Sequence, residues 1–332
     1  MRRRGLWTTL IVLGVLAALS FPMVQHLRST MAHTSALPTA APIDGERAYR
    51  YLKELCAIGP RPAGSAANTR QRQLVAAHFR KLGATVREQP FTGVDPLSGA
   101  RVDMVNLIGS WHPERTERVL IGVHYDTRPF PDEDPNPARR KDPFLGANDG
   151  ASGVALLMEM AHHMNDLPTP WGVDFVLFDG EELVYGGGHF QQGDYFLGSK
   201  EFARAYVEET DARKSRSRYA AALVLDMVGD RDLKIDQEPH SLEFAPRLVQ
   251  EVWSVARRIK APAFRNRIGR TVLDDHLALN NAGIPAIDII DFDYPQWHTS
   301  QDLPEYCSAA SLEQVGRVVT AWLAQPKPPR RR

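Results

Sequence analysis

Five near-continuous apolar runs set the first limit on how this chain can fold. They are "VDMVNLIGSW", "ERVLIGVHYDT", "GVDFVLFDGEE", "YAAALVLDMVGD" and "GIPAIDIIDFD". A strand that is apolar on both faces must be covered on both faces, which is the habit of parallel sheets flanked by helices. Among and after the runs lie "SGVALLMEMAHHMN", "GSKEFARAYVEE", "APRLVQEVWSVARRI" and "SAASLEQVGRVVTAWLAQ", with apolar residues at helical spacing. Two further helical segments, "GERAYRYLKELCAIG" and "NTRQRQLVAAHFRKLGA", come before the first strand, and the second stops at a glycine. The alternation predicts an α/β three-layer sandwich in a single domain: a mixed, mostly parallel central sheet with helices on both faces.

A chain of 332 residues is long enough to bury such a core. Its 40 basic and 40 acidic residues cancel, so no global basic field favours nucleic acid. The amino terminus has its own character. Arg2, Arg3 and Arg4 precede an uncharged run from Gly5 to Gln25, about the ~20 residues a bilayer-spanning helix needs. Residues 1–27 therefore read as a membrane anchor or a cleaved signal segment, with the arginines kept in the cytoplasm and the remainder exported. The stretch "STMAHTSALPTAAP" makes 28–42 a linker. The folded domain is expected over 43–325, and "QPKPPRRR" makes 326–332 a disordered tail. Cys56 and Cys307 could pair in an exported chain or remain free buried thiols.

Polar residues fall at the ends of the apolar runs. His124 and Asp126 end one strand; Asp179, Glu181 and Glu182 end the next; Asp226 sits late in the third; His298 follows the last. Asp149 lies in "GANDGASG", directly before a helix. Parallel strands bring their carboxyl ends to one edge, the edge at which open α/β sheets bind ligands. Converging carboxylates without a cation repel one another and are costly to ionise. His124, Asp149, Glu182, Asp226 and His298 are therefore expected to form a metal site with the nitrogen and oxygen donors that suit zinc. Adjacent side chains diverge, so Glu182 is assigned to the metal and Glu181 to proton transfer. Two long loops, "RPFPDEDPNPARRKDPF" and "LVYGGGHFQQGDYF", flank this edge, and loops of such length usually carry function.

Taken together, "IGPRPAGS", "GVHYDT", "GANDGASG", "FDGEE", "LGSKEFA", "LVLDMVG", "DDHLALNNAGIPA" and "WHT" resemble the M28-type zinc aminopeptidase and glutaminyl cyclase superfamily from about Ala48 to Leu323. For an aminopeptidase the resemblance implies two zinc ions on His124, Asp149, Glu182, Asp226 and His298, with Asp149 bridging. For a cyclase it implies one zinc on Asp149, Glu182 and His298, with Asp226 and Asp274 joining Glu181 in a carboxylate network. "DDH" at Asp274–His276, Trp297 directly before His298, and the long segment after Glu182 are similar to the cyclases. "NDGASG" is more similar to the peptidases. A cyclase-type cysteine pair around the first parallel strand is absent, and no pocket tryptophan stands in the loop after the glutamates, where Tyr185, Phe190 or Tyr195 would have to serve. The cyclase reading implies peptide N-termini as substrates, converted from glutamine to pyroglutamate with release of ammonia. Trp297 and Tyr294 would wall the pocket for the glutamine stem. The runner-up is a zinc aminopeptidase that hydrolyses N-terminal residues.

Overall fold

The computed structural model describes residues 40–186, 192–212 and 217–327. The expected anchor, most of the linker and most of the tail lie outside these residues. Among the described residues no helix is long and apolar enough to cross a membrane.

Among the described residues eight strands form: β1 (Thr85–Val94), β2 (Arg101–Trp111), β3 (Glu117–His124), β4 (Gly172–Phe178), β5 (Arg218–Asp226), β6 (Ile235–Gln237), β7 (Phe264–Ile268) and β8 (Ala286–Ile290). Six of them make the central sheet in the order β1-β2-β4-β3-β5-β8, and β6 pairs with β7 separately. The β4, β3, β5 and β8 neighbours are parallel, whereas β1 and β2 join antiparallel at one side. All five apolar runs enter this sheet. β1 escaped the sequence reading because "TVREQPFTGV" is polar and contains Pro90. It is an edge strand with much of its length in water, where proline and charge are tolerated.

The described helices are α1 (Gly45–Ala57), α2 (Ala66–Lys81), α3 (Ala151–Ala161), α4 (Leu197–Asp211), α5 (Pro239–Phe244), α6 (Pro246–Arg258), α7 (Asp275–Asn281) and α8 (Ala309–Leu323). Strand alternation divides them between two cores. Val119, Ile121 and Val123 of β3 join Phe175 and Leu177 of β4 and Leu223 and Leu225 of β5 in a large cluster. That cluster takes Leu52 of α1, Phe79 of α2, Val154 of α3, Val252 of α6 and Val315 of α8. Leu120, Val176, Phe178, Ala222 and Val224 point the other way, against Phe202 of α4 and Leu279 of α7. Two buried faces explain why these strands are apolar throughout.

The chain passes from β3 through α3 to β4 on one side, then through α4 to β5 on the other side of β3. This reversal opens a crevice at the carboxyl end of β3, where open α/β sheets place their ligands. Register does the rest. His124 is level with Phe178 of β4, and Gly122 is level with Val224 of β5. Asp226, two residues beyond Val224, is thus brought level with His124. One polar pair is buried within the sheet. Arg118 donates from Nε to Asp174 Oδ2 at 2.8 Å and from Nη2 to Oδ1 at 2.6 Å, while Ser110 and Tyr219 also donate to Asp174. Cys56 and Cys307 are both free and buried, with no disulfide between them.

Candidate metal centre and active site

Each polar residue read from the sequence reaches the crevice from a different element. His124 ends β3 and Asp226 ends β5. Asp149 precedes α3, Glu181 and Glu182 follow β4, Asp274 caps α7, and His298 follows β8. His124 Nε2 lies 3.0 Å from Asp226 Oδ1 and 3.2 Å from Asp149 Oδ1. On the other side of Asp149, His298 Nε2 lies 3.4 Å from its Oδ2 and 3.0 Å from Glu182 Oε1. Two groups of potential ligand atoms result, His124–Asp149–Asp226 and Asp149–Glu182–His298, each within 4.8 Å and sharing Asp149.

The donor set suits a borderline-soft divalent ion such as zinc. Asp149 Oδ2 is buried without a hydrogen-bond donor, an arrangement that a cation would satisfy. Electrostatics point the same way. Burial and Glu182 work to raise the Asp149 pKa, but the neighbouring His124 and His298 imidazoles outweigh them and lower it. Burial opposes charge on His298, yet Glu182 and Asp149 push its pKa up to about 9. His124 is raised too, burial being outweighed by Asp226 and Asp149. Carboxylates that hold protons on imidazoles in this way can hold a metal in their place.

Local backbone keeps the ligands in position. The buried Asp126 carboxylate accepts the amides of Glu181 at 3.1 Å and Glu182 at 3.0 Å, fixing the turn after β4. The two glutamates then diverge. Glu182 faces His298, while Glu181 Oε2 lies 3.7 Å from His124 Nδ1. Asp302 accepts the amides of Asn148 and Asp149 at 2.8 and 3.0 Å, holding the loop that presents Asp149. Gly150 has φ +97°, and a Cβ there would sit 2.6 Å from the Asp126 carbonyl oxygen, so only glycine fits. His298, Met227 beside Asp226, and Phe196 have left-handed backbone. Such conformations concentrate at functional sites, where surrounding structure enforces them.

A cavity of about 350 Å³ opens over the ligands. Glu181, Asp226 and Asp274 reach it on the polar side, and Val272, Phe292 and Trp297 form an apolar wall. Trp297 stacks on the His298 ring, with centroids 3.8 Å apart and planes 24° apart. Tyr195 and Phe196 close the side formed by the loop after Glu182. Tyr294, expected from the sequence in the pocket wall, lies elsewhere. It does not line the cavity; its hydroxyl donates to Asp302 at 2.8 Å, and Phe292 takes the wall position. The cause is the turn after β8, which points Tyr294 beneath the Asp149 loop.

Burial shifts the carboxyls around the cavity. Glu181 is raised well above the usual range, first by burial and then by Glu182. Burial, only partly offset by His124, brings Asp226 up to about 6. Glu182 is lowered because His298 and Arg128 outweigh its burial. Thus one glutamate is held as the anion and its neighbour is pushed toward the acid, the separation that acid/base chemistry requires.

Sequence reasoning missed Arg128, Asp302 and Asp288. Arg128 and Asp302 stand four residues after His124 and His298 respectively, a spacing that is visible only in retrospect. Asp288 lies within an apolar strand and, with Asp274 and His276, forms a third buried group of potential ligand atoms within 4.8 Å.

The sequence matches the Peptidase family M28 description over residues 106–323. A glutaminyl-peptide cyclotransferase-like protein of Mus musculus is 24% identical over 312 residues, spanning 85% of this chain and 76% of that protein. Among solved structures, a glutaminyl cyclase of Fimbriiglobus ruber is 42% identical with a TM-score of 0.84, over 87% of this chain and 97% of that one. A leucine aminopeptidase precursor of Bacteroides thetaiotaomicron is 32% identical with a TM-score of 0.78, over 87% and 99%.

Proposed function

The chain belongs to peptidase family M28, and from that premise we propose that it is a zinc-dependent glutaminyl cyclase acting on peptides with N-terminal glutamine. The observation that carries this reading is Trp297, stacked on His298 in the wall of a cavity that also holds Glu181 and Asp274. A small apolar recess beside a proton-transfer group suits a glutamine stem folded back on its own amine. The Fimbriiglobus ruber cyclase, alike over 97% of its length, supports the same reading.

Asp149, Glu182 and His298 would hold the zinc. When bound, the ion supplies Lewis-acid polarisation of the side-chain carbonyl. The peptide's own α-amine attacks the side-chain amide carbon, so no enzyme nucleophile is needed. One C–N bond forms and the bond to the amide nitrogen breaks, releasing ammonia. Glu181 accepts the amine proton and returns it to the leaving nitrogen. Burial, and like charge from Glu182, Asp275 and Asp274, keep its proton affinity high, and Asp226 completes the carboxylate network beside it. Trp297, Phe292 and Val272 exclude water from the stem.

A second reading, M28 aminopeptidase, is favoured by the His124–Asp149–Asp226 group, which offers ligands for a second ion. Glu181 would then take a proton from water rather than from an amine. Purified domain offered Gln-peptides and Leu-peptides separates the two: pyroglutamate with ammonia is expected, and free leucine without pyroglutamate would overturn the cyclase reading. We also propose that residues 1–27 anchor the domain outside the cytoplasm. Extraction of the full chain by carbonate alone would refute the anchor.

A further inference from the structure

Arg128 forms an ion pair with the predicted ligand Glu182, and nothing in the mechanism above uses it. It is 1% exposed. Its Nη1 donates to Glu182 Oε2 at 2.7 Å and to the Tyr195 hydroxyl at 3.0 Å. Nη2 donates to the Gly186 carbonyl and to Asp132 Oδ2, both at 3.0 Å, and Nε donates to Asp132 Oδ1 at 2.6 Å. The guanidinium also sits 5.7 Å from the Tyr195 ring centroid. A single planar fork thus joins the loop after β3, a predicted metal ligand, and both sides of the loop after Glu182.

The consequence for Glu182 is geometric. A free carboxylate can hold a divalent ion through one oxygen or two. Here Oε2 is taken by a charge-assisted hydrogen bond of the strongest kind, leaving Oε1, the oxygen nearest His298. A guanidinium stays protonated across any working pH range, so the donor to Oε2 is permanent.

We propose that Arg128 is a positioning residue that restricts Glu182 to one-oxygen metal coordination, so that a coordination position stays open for substrate. Catalytic zinc sites depend on such an open position, and partners of the ligands commonly decide ligand geometry. The inference rests on the metal-site part of the proposed function and is indifferent to whether the enzyme is a cyclase or a peptidase. Arg128 acts through Glu182 and needs no contact with the reacting atoms.

Cobalt(II) is the probe, because its visible absorption is strong in four-coordinate fields and weakens several-fold as coordination number rises. The metal-free full chain is titrated with cobalt(II) as the native sequence, as Arg128→Lys, and as Arg128→Met combined with Asp132→Asn. The second substitution removes the carboxylate that would otherwise lose its partner. Native protein should give the strong spectrum with one or more equivalents. Arg128→Lys keeps a cation for Oε2 and should retain that spectrum. The double variant should bind cobalt but with a several-fold weaker band, because Glu182 can then supply both oxygens. An unchanged band in the double variant, or loss of cobalt from a folded double variant, overturns the inference. Should the double variant fail to fold, Arg128→Lys decides alone, and a weakened band there overturns it. Native protein that takes up no cobalt defeats the metal site itself, a separate failure that removes the premise.

Discussion

Replacing Glu181 by glutamine tests the chemistry with the least disturbance to the fold. The amide keeps the shape of the side chain and leaves Asp149, Glu182 and His298 untouched. Removing a general base costs roughly 100- to 10,000-fold in turnover. At 1.36 kcal/mol per tenfold, that is about 2.7–5.4 kcal/mol of activation free energy. The metal-free fold should not suffer. Burial and the neighbouring Glu182 raise the Glu181 pKa, so the charged form is disfavoured in the folded chain. An acid raised on folding destabilises the native state increasingly as pH rises above its unfolded value of about 4.3. The metal-free variant should therefore equal or exceed native thermal stability, with its relative advantage growing toward alkaline pH. Ammonia release from a Gln-peptide reads turnover, elemental analysis reads zinc, and thermal unfolding across pH reads stability. Undiminished turnover with zinc retained would refute the role given to Glu181. Loss of zinc would refute the division of labour between the two glutamates.

Three other outcomes follow from the same geometry. Glu182→Ala should abolish zinc retention on elemental analysis while the far-UV spectrum stays native; full occupancy would reverse the ligand assignment. Asp302→Ala removes the acceptor for the Asn148 and Asp149 amides and the Tyr294 hydroxyl, and should cost about 1–3 kcal/mol in denaturant unfolding. Chelator competition should show zinc affinity in that variant weakened by roughly 10- to 100-fold. Asp174→Ala strands the buried Arg118 guanidinium and should cost about 3–5 kcal/mol, with activity per folded molecule preserved.

Much of the site was legible because parallel sheets impose order on sequence. Apolar strands announce their ends, and polar residues there must share one edge whatever their separation along the chain. That reasoning gathers His124, Asp149, Glu182, Asp226 and His298 from chain order alone. It fails for residues whose role depends on direction rather than on position. Tyr294 follows a strand as Trp297 does, yet the turn sends its hydroxyl to Asp302 while Trp297 stacks over His298. Arg128 lies in a loop whose path no periodicity describes, and its contact with Glu182 joins residues 54 positions apart.

The layers, the mostly parallel sheet and the edge at which chemistry collects follow from the order of residues, because burial on two faces leaves few alternatives for such strands. Tertiary structure alone decided which oxygen of Glu182 is free, what holds Asp149 in place, and which aromatic rings face the cavity. Hydrogen bonds and ring contacts depend on angles and sub-ångström distances, and these are fixed only when segments remote in the chain pack against one another.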